Sequence, residues 1–423
     1  MNTTQPQASV DCGCDRRGEA LIGIDEALHR IACNALPIEG TEDVALDQAI
    51  GRTLAAPVRA GSMVPPFDNA AMDGYAVATS AFSGDGPWTL PVVTRIPAGK
   101  AASDISGPTA ARIFTGAPIP HGADAVVMQE DVRRSGASIT IERRAEPGLN
   151  IRRAGSDMAA GELVLRSGRR LGPREIAACA AAGAGVLRIR RRVRVGLLVT
   201  GDEVRQAGAN RETAQIWDVN TPMLTAALAD PCVDLVSVLH GADVRETLRG
   251  QLADLAGRVD LVVTTGGISV GEEDHVEPAL RALDADIVFS GVAIKPGKPV
   301  SFGRVGSAAW LGLPGNPLSA FVTWQLFGTV LLRKLNGEFL EENSRRRVVL
   351  AHDITRKAGR CELRPATRKG FDAHGREIVT FDDATHSDRV RGLACSDGLM
   401  ILPAETEFLP AGALVEFLPF RQT

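Results

Sequence analysis

Apolar positions along the 423-residue chain change period several times, and each change predicts a different kind of element. Residues 19–56 place Leu28, Ile31 and Ala32 at helical spacing on one face, and the proline-bounded segment 57–66 ends that pattern. From 67 to about 170, glycine, proline and short β-branched runs such as 139–141 predict β-structure. Gly172-Pro173 opens an alanine-rich helix that runs to Ala182, with Gly183 as its stop. Between 191 and 340, apolar runs at 193–199, 261–264 and 309–313 are each followed closely by glycine, with helical stretches at 222–228 and 244–255. Buried apolar strands alternating with helices predict a mostly parallel sheet. Beyond 341, short strands at 347–350, 378–381, 399–402 and 414–418 predict a small β-barrel or sandwich.

The expected fold is therefore multidomain α/β. Residues 1–18 read as a disordered lead, 19–66 with 150–190 as a helical and extended linker domain, 67–149 as a β-rich domain, 191–340 as the central α/β domain, and 341–423 as a C-terminal barrel.

Composition narrows the class of function. Hydrophobic residues make up 44% and charged residues 23%, and no apolar run approaches the ~20 residues of a membrane helix. The first residues lack the basic and apolar sections of a secretory signal. Seven irregularly spaced cysteines do not form a disulfide framework, so a reducing, cytoplasmic compartment is expected. Cys12 and Cys14 offer two soft ligands, but no second pair at zinc-site spacing accompanies them. A net charge of −4 argues against general nucleic-acid binding.

In an open parallel sheet, ligands bind beyond the carboxyl ends of the strands. Here those ends carry Thr200-Gly-Asp-Glu203, then Thr264-Thr-Gly-Gly-Ile-Ser-Val-Gly-Glu-Glu-Asp274, then Gly312-Leu-Pro-Gly-Asn-Pro-Leu-Ser319. Each alone is compatible with an ordinary βα turn; three in one domain point to a shared site. Asn316 can cap a helix with Pro317 at its first position, which places Ser319 beside free backbone N–H groups, a ready anion pocket. Only six of the 47 cations are lysine, yet Lys295 and Lys298 lie three residues apart between prolines. Compact ammonium charges on a stiffened segment suit an oxyanion or phosphate. Glu203 and Asp274 are hard oxygen donors at neighbouring strand ends and suit Mg²⁺ bridging phosphates. In 65–77, two acids and an asparagine sit among apolar residues with the only tyrosine of the chain, Tyr75; Asp73-Gly74 also fits a tight turn. Thr115 stands beside a glycine in 114–120.

These residues resemble those of the molybdopterin molybdenumtransferases, the family of bacterial MoeA and the E domains of gephyrin and the plant insertase. The carriers are Pro66-Phe-Asp-Asn-Ala-Ala-Met-Asp-Gly-Tyr-Ala76, Thr115-Gly-Ala-Pro118, Thr200-Gly-Asp-Glu203, Gly266-Gly-Ile-Ser-Val-Gly271 with Asp274, Lys295-Pro-Gly-Lys-Pro299 and Leu313-Pro-Gly-Asn-Pro317, six motifs in order from about residue 20 onward. The resemblance implies a central domain of molybdopterin-binding type and an elongated homodimer in which 19–66 and 150–190 serve dimerisation. It implies adenylylated molybdopterin and molybdate as substrates, Mg²⁺ as helper and AMP as leaving product. It places Glu203 and Asp274 at the metal. Lys295, Lys298, Ser319, Arg364 and Ser387 are placed at the molybdate, and Gly266, Gly267, Ser269, Gly315 and Asn316 along the substrate. Asp73, Thr115, Asp157 and Asp243 correspond to positions linked to activity. Partners implied are a molybdopterin adenylyltransferase and maturing molybdoenzymes. Within the same pathway an adenylyltransferase is the alternative, and a non-catalytic molybdopterin-binding scaffold or regulatory copy is another. Tungstate could replace molybdate, being nearly equal in size and charge.

Overall fold

The computed structural model describes residues 21–242, 244–268, 274–339, 345–382 and 390–420. Asp243, Ser269, Ser387, Cys12 and Cys14 therefore lie outside the described residues. The chain divides into two units: Met1–Glu42 with Gly51–Thr53 and Arg190–Thr423, and Asp43–Ile50 with Leu54–Ile189.

In the first unit, the apolar runs become the middle of a six-stranded sheet. Strands Val233–Gly241, Val193–Thr200, Leu261–Thr265 and Ala308–Leu313 lie parallel in that order. Ser301–Val305 and Asp286–Ser290 then extend the sheet through antiparallel pairings. Alternate side chains of Val193–Thr200 face opposite cores: Val195, Leu197 and Val199 enter one, and Leu198 the other. The first core receives the helices Ile24–Asn34, Asn220–Ala227 and Pro317–Thr323, and the second receives Arg245–Arg258 and Val276–Arg281. Burial on both faces is why Leu261–Thr265 and Ala308–Leu313 are closed to solvent at every position, whereas the edge strand Val233–Gly241 alternates and carries Asp234, Ser237 and His240.

Helix extends over less of 19–56 than the spacing predicts. It covers Ile24–Asn34, burying Ile24, Ala27 and Ile31. Leu28 and Ala32 are only half-buried. Pro37 follows within a turn, and the chain runs on into the strand Thr41–Ala45. The helix after Asn316 is longer than one regular segment: Pro317–Thr323 continues through a π-helical turn, Trp324–Gly328, into Thr329–Leu335.

The barrel expected beyond 341 is closed. Five strands, Arg346–Leu350, Cys361–Phe371, Glu377–Phe381, Gly398–Leu402 and Leu414–Pro419, pair around a ring. Its longest strand, Cys361–Phe371, escapes the hydrophobic pattern because it is polar and contains Pro365 and Gly370. At its start Glu362 is buried between two arginines, accepting from Arg356 Nε and Arg364 Nε at 2.9 Å each. The barrel is joined to the lysine segment by main-chain pairing: Ile294–Lys295 runs parallel to Cys361–Glu362, and Cys361 N–H donates to Ala293 O at 3.0 Å.

The second unit is β-rich. Strands Ala125–Met128, Gly74–Val77, Ala110–Ile113, Trp88–Ile96, Ser138–Ile141 and Val132–Ser135 form one mixed sheet in that order. A separate core holds Leu54, Val58, Leu171, Cys179, Leu187 and Ile189, on which the helix Pro173–Ala181 packs. Asp73-Gly74 is not a turn. Gly74 is a strand residue paired with Met128 on one side and Ile113 on the other. A Cβ there would lie 2.0 Å from the Val127 carbonyl oxygen. Gly74→Ala should therefore push two strands apart and cost about 1–3 kcal/mol. A denaturation midpoint indistinguishable from that of the unaltered chain would show that the sheet accommodates the methyl group.

Candidate functional site

Three glycine-bearing strand ends of the first unit meet in one cavity of about 410 Å³. Thr200, Gly201 and Glu203 come from the end of Val193–Thr200 and the turn after it, Gly266, Gly267 and Asp274 from the loop after Leu261–Thr265, and Pro314, Gly315, Asn316 and Pro317 from the loop after Ala308–Leu313. The close approach of the first two ends requires glycine at 266: its φ is +88°, and a Cβ there would sit 2.7 Å from Thr200 Oγ1.

Residues without a motif hold this floor together. Asn220, the first residue of its helix, is buried and donates through Nδ2 to Gly315 O at 2.6 Å and Thr265 Oγ1 at 3.0 Å. Thr265 Oγ1 in turn donates to Pro314 O at 3.0 Å. Because Gly315 O can only accept, the amide orientation is settled by chemistry. Asn220 Oδ1 is left buried without a hydrogen-bond partner. One side chain thus ties the second and third strand ends. Asp218, also buried at the cavity, accepts from Thr221 N–H at 2.9 Å, and its other carboxylate oxygen lies 3.7 Å from His240 Nε2. The short ladder pairing Val204–Arg205 with Ile216–Trp217 forms a further part of the lining, with Trp217 at its end. Sequence spacing missed Asp218, Trp217 and Asn220 because they lie along the stretch from a two-residue ladder strand to the helix start after it, away from the ends of the long apolar runs.

Of the residues expected at the site, Glu203, Asp274, Gly266, Gly267, Gly315 and Asn316 line this cavity. Glu203 is exposed and Asp274 half-buried. Asn316 stands at the helix N-cap in extended conformation, but its side chain makes no capping bond, contrary to expectation; Pro317 does occupy the first turn. Lys295, Lys298, Ser319 and Arg364 are not part of the lining, although Pro299, next to Lys298, is. Lys295 is exposed, and Lys298 is half-buried with its carbonyl accepting from Val292 N–H at 2.9 Å. Ser319 is buried, its carbonyl accepting from Thr323 Oγ1 at 2.7 Å. Arg364 is buried in the barrel against Glu362, with its guanidinium 5.8 Å from the Phe381 ring centre.

Asp73, Thr115 and Asp157 belong to the second unit. Thr115 donates both its N–H (2.8 Å) and its hydroxyl (2.7 Å) to the same oxygen of Asp73. The N–H first, then the hydroxyl, hold the Asp73 carboxyl below its ordinary value. With its proton committed to Asp73, the Thr115 hydroxyl is left to act as an acceptor. Arginines stack around the adjoining Phe114: Arg95 and Arg112 lie 4.5 and 4.8 Å from its ring centre. Asp157 is exposed, and its N–H donates to Val64 O at 2.9 Å.

Comparison with known proteins gives this arrangement a context. Residues 22–183 match the family model "MoeA N-terminal region (domain I and II)", 196–334 match "Probable molybdopterin binding domain", and 347–420 match "MoeA C-terminal region (domain IV)". The chain is 35% identical over 382 residues to molybdopterin molybdenumtransferase 2 of Mycobacterium tuberculosis, covering 88% of this chain and 93% of that protein. It is 36% identical over 300 residues to molybdopterin molybdenumtransferase of Haemophilus influenzae, covering 70% and 74%. The solved molybdopterin biosynthesis moeA protein from Pyrococcus horikoshii OT3 aligns with a TM-score of 0.81 at 28% identity, covering 95% of this chain and all of that one.

If Asp73 serves to hold the Thr115 loop, an oxygen acceptor matters more than its charge. Amide exchange at Thr115 should accelerate roughly tenfold in Asp73→Ala and stay near its original rate in Asp73→Asn. Equal exchange in all three proteins would show that the pair does not hold the loop.

Proposed function

This chain belongs to the molybdopterin molybdenumtransferase family, and on that premise we propose that it transfers molybdenum from molybdate to the dithiolene of adenylylated molybdopterin, releasing AMP. It is a transferase of molybdenum-cofactor biosynthesis. The observation that carries the finer reading is the strand-end cavity, which gathers three carboxylates, Glu203, Asp218 and Asp274, and a Gly-Gly turn around a space of small-molecule size.

The donor set suits Mg²⁺. Glu203 and Asp274 are hard oxygen ligands on one cavity, and among the described residues no group of three or more metal-ligating side chains offers a complete cage. Mg²⁺ is commonly held by one or two carboxylates, with phosphates and water filling the remaining positions. When bound, it would neutralise the phosphate charge of the adenylylated substrate.

In this reading the chain itself binds and positions. Gly266, Gly267 and Gly315 let the substrate approach the backbone closely, and Ser269 and Asn316 are proposed as further substrate-binding residues. Lys295, Lys298 and Ser319, with Arg364 and Ser387 from the C-terminal region, receive the tetrahedral molybdate dianion, for which point charges and hydroxyls are suited. Asp73, Thr115, Asp157 and Asp243 are the positions proposed to be linked to activity. Exchange of oxo groups for dithiolene sulfur needs alignment and charge neutralisation more than a protein nucleophile. The four-part organisation, a homodimer formed through 19–66 and 150–190, and a cytoplasmic location belong to the same proposal. An adenylyltransferase would supply the substrate, and molybdoenzymes would consume the product.

Purified protein given adenylylated molybdopterin and Mg²⁺ should release AMP only when molybdate is added, and its product should activate a molybdenum-free apo-enzyme. Synthesis of the adenylylated compound from ATP and molybdopterin would instead assign the chain to the preceding step. Glu203→Ala and Asp274→Ala should each lower Mg²⁺-dependent AMP release by roughly a hundredfold or more while the circular dichroism melt is retained. Undiminished turnover in both variants would remove the metal assignment.

A further inference from the structure

The chain has four tryptophans, and they occupy different environments. Trp310 and Trp324 are buried in the first unit, and Trp88 is half-buried against Phe82 in the second. Trp217 alone of the four is more open than closed, 52% exposed, and it lines the strand-end cavity. A large apolar ring left open beside a polar cavity forgoes the burial that usually stabilises it.

The position of this ring is built by its neighbours. Ile216 N–H donates to Glu203 O at 2.9 Å and Asp218 N–H to Arg205 O at 2.7 Å, so main-chain bonds on both sides clamp Trp217 beside the Glu203 turn. Asp218 and Asn220, which follow it, are buried and hydrogen-bonded. The Arg211 guanidinium lies 5.1 Å from the indole centre, and Arg211 Nη1 donates to Gln215 O at 2.6 Å. A cation therefore backs one face of the ring, which leaves the other face as the surface available for stacking.

We propose that Trp217 is a stacking platform for the planar nitrogen heterocycle of the substrate, and so a specificity-determining residue of the cavity. The inference rests on the reading of that cavity as the place of adenylylated molybdopterin. Two parts of that molecule, the pterin and the adenine, share the required chemistry: a flat conjugated ring with polar edges that can lie offset over an indole. Placement one residue pair from the Glu203 turn puts the ring next to the acids that would face the phosphates. Arg211 adds positive charge behind the indole and favours an electron-rich ring on the open face.

The test uses the full chain and two separate probes, AMP and free pterin, each followed by tryptophan fluorescence and by calorimetry. Because Trp310 and Trp324 are buried and Trp88 is half-buried against Phe82, quenching on binding should come from Trp217. At least one probe should quench, and the quench should vanish in Trp217→Leu. The dissociation constant of that probe should rise roughly tenfold, about 1.4 kcal/mol. Trp217→Phe should recover most of the affinity. The probe that responds identifies which heterocycle lies on the ring. An unchanged affinity for both probes in Trp217→Leu, or no quench by either probe in the unaltered chain, overturns the proposal. Molybdate-dependent AMP release is measured independently: its absence with the quench intact would count against metal insertion and leave the platform standing.

Discussion

The cavity depends on one geometric constraint: three parallel strand ends have to turn away from the sheet within a very small space. Gly266 permits the closest approach, because any side chain there would collide with Thr200. Asn220 makes the arrangement hold, its buried amide joining Thr265 to the Pro314-Gly315 turn. A hydrogen bond is worth only about 1 kcal/mol net, but a buried group deprived of its partner loses more. The network therefore resists partial opening more strongly than its individual bonds suggest.

The lysine segment and the barrel are coupled in a similar way. Lys295 is not carried on a free loop. Its two-residue strand is an extra edge of the barrel, parallel to Cys361–Glu362. Beside it, Glu362 is held between Arg356 and Arg364, the side chains of all three closed off from solvent. Loss of Glu362 would leave two arginine charges uncompensated in a dry interior, which is far costlier than loss of a surface ion pair. The barrel thus does more than append a small domain: it fixes the main chain from which the lysine ammonium groups extend.

Asp73 and Thr115 show how a pair of motifs can have a local logic of its own. Both of Thr115's donors converge on one carboxylate oxygen, so the acid orders the loop and the loop holds the acid charged. The glycine after Asp73 serves packing, since the Val127 carbonyl occupies the space of a side chain. Both relations join residues far apart in the chain, and neither is visible in residue spacing.

The sequence by itself determined the alternation of buried strands and helices, the glycine-rich strand ends and the six ordered motifs of the family, because burial on both sheet faces and tight turns leave a compositional mark. It also placed Glu203, Gly266, Gly267, Asp274, Gly315 and Asn316 at strand ends that share one cavity. Only the tertiary structure decided the rest. The strand Cys361–Phe371 is polar because its first half buries the Glu362–Arg364 pair and its last four residues are exposed, so no hydrophobic run announced it. Trp217, Asp218 and Asn220 reach the cavity from a short ladder and a helix start, through contacts with residues up to 95 positions away. Local periodicity records which face of an element is buried; it carries no record of which distant element will supply the partner.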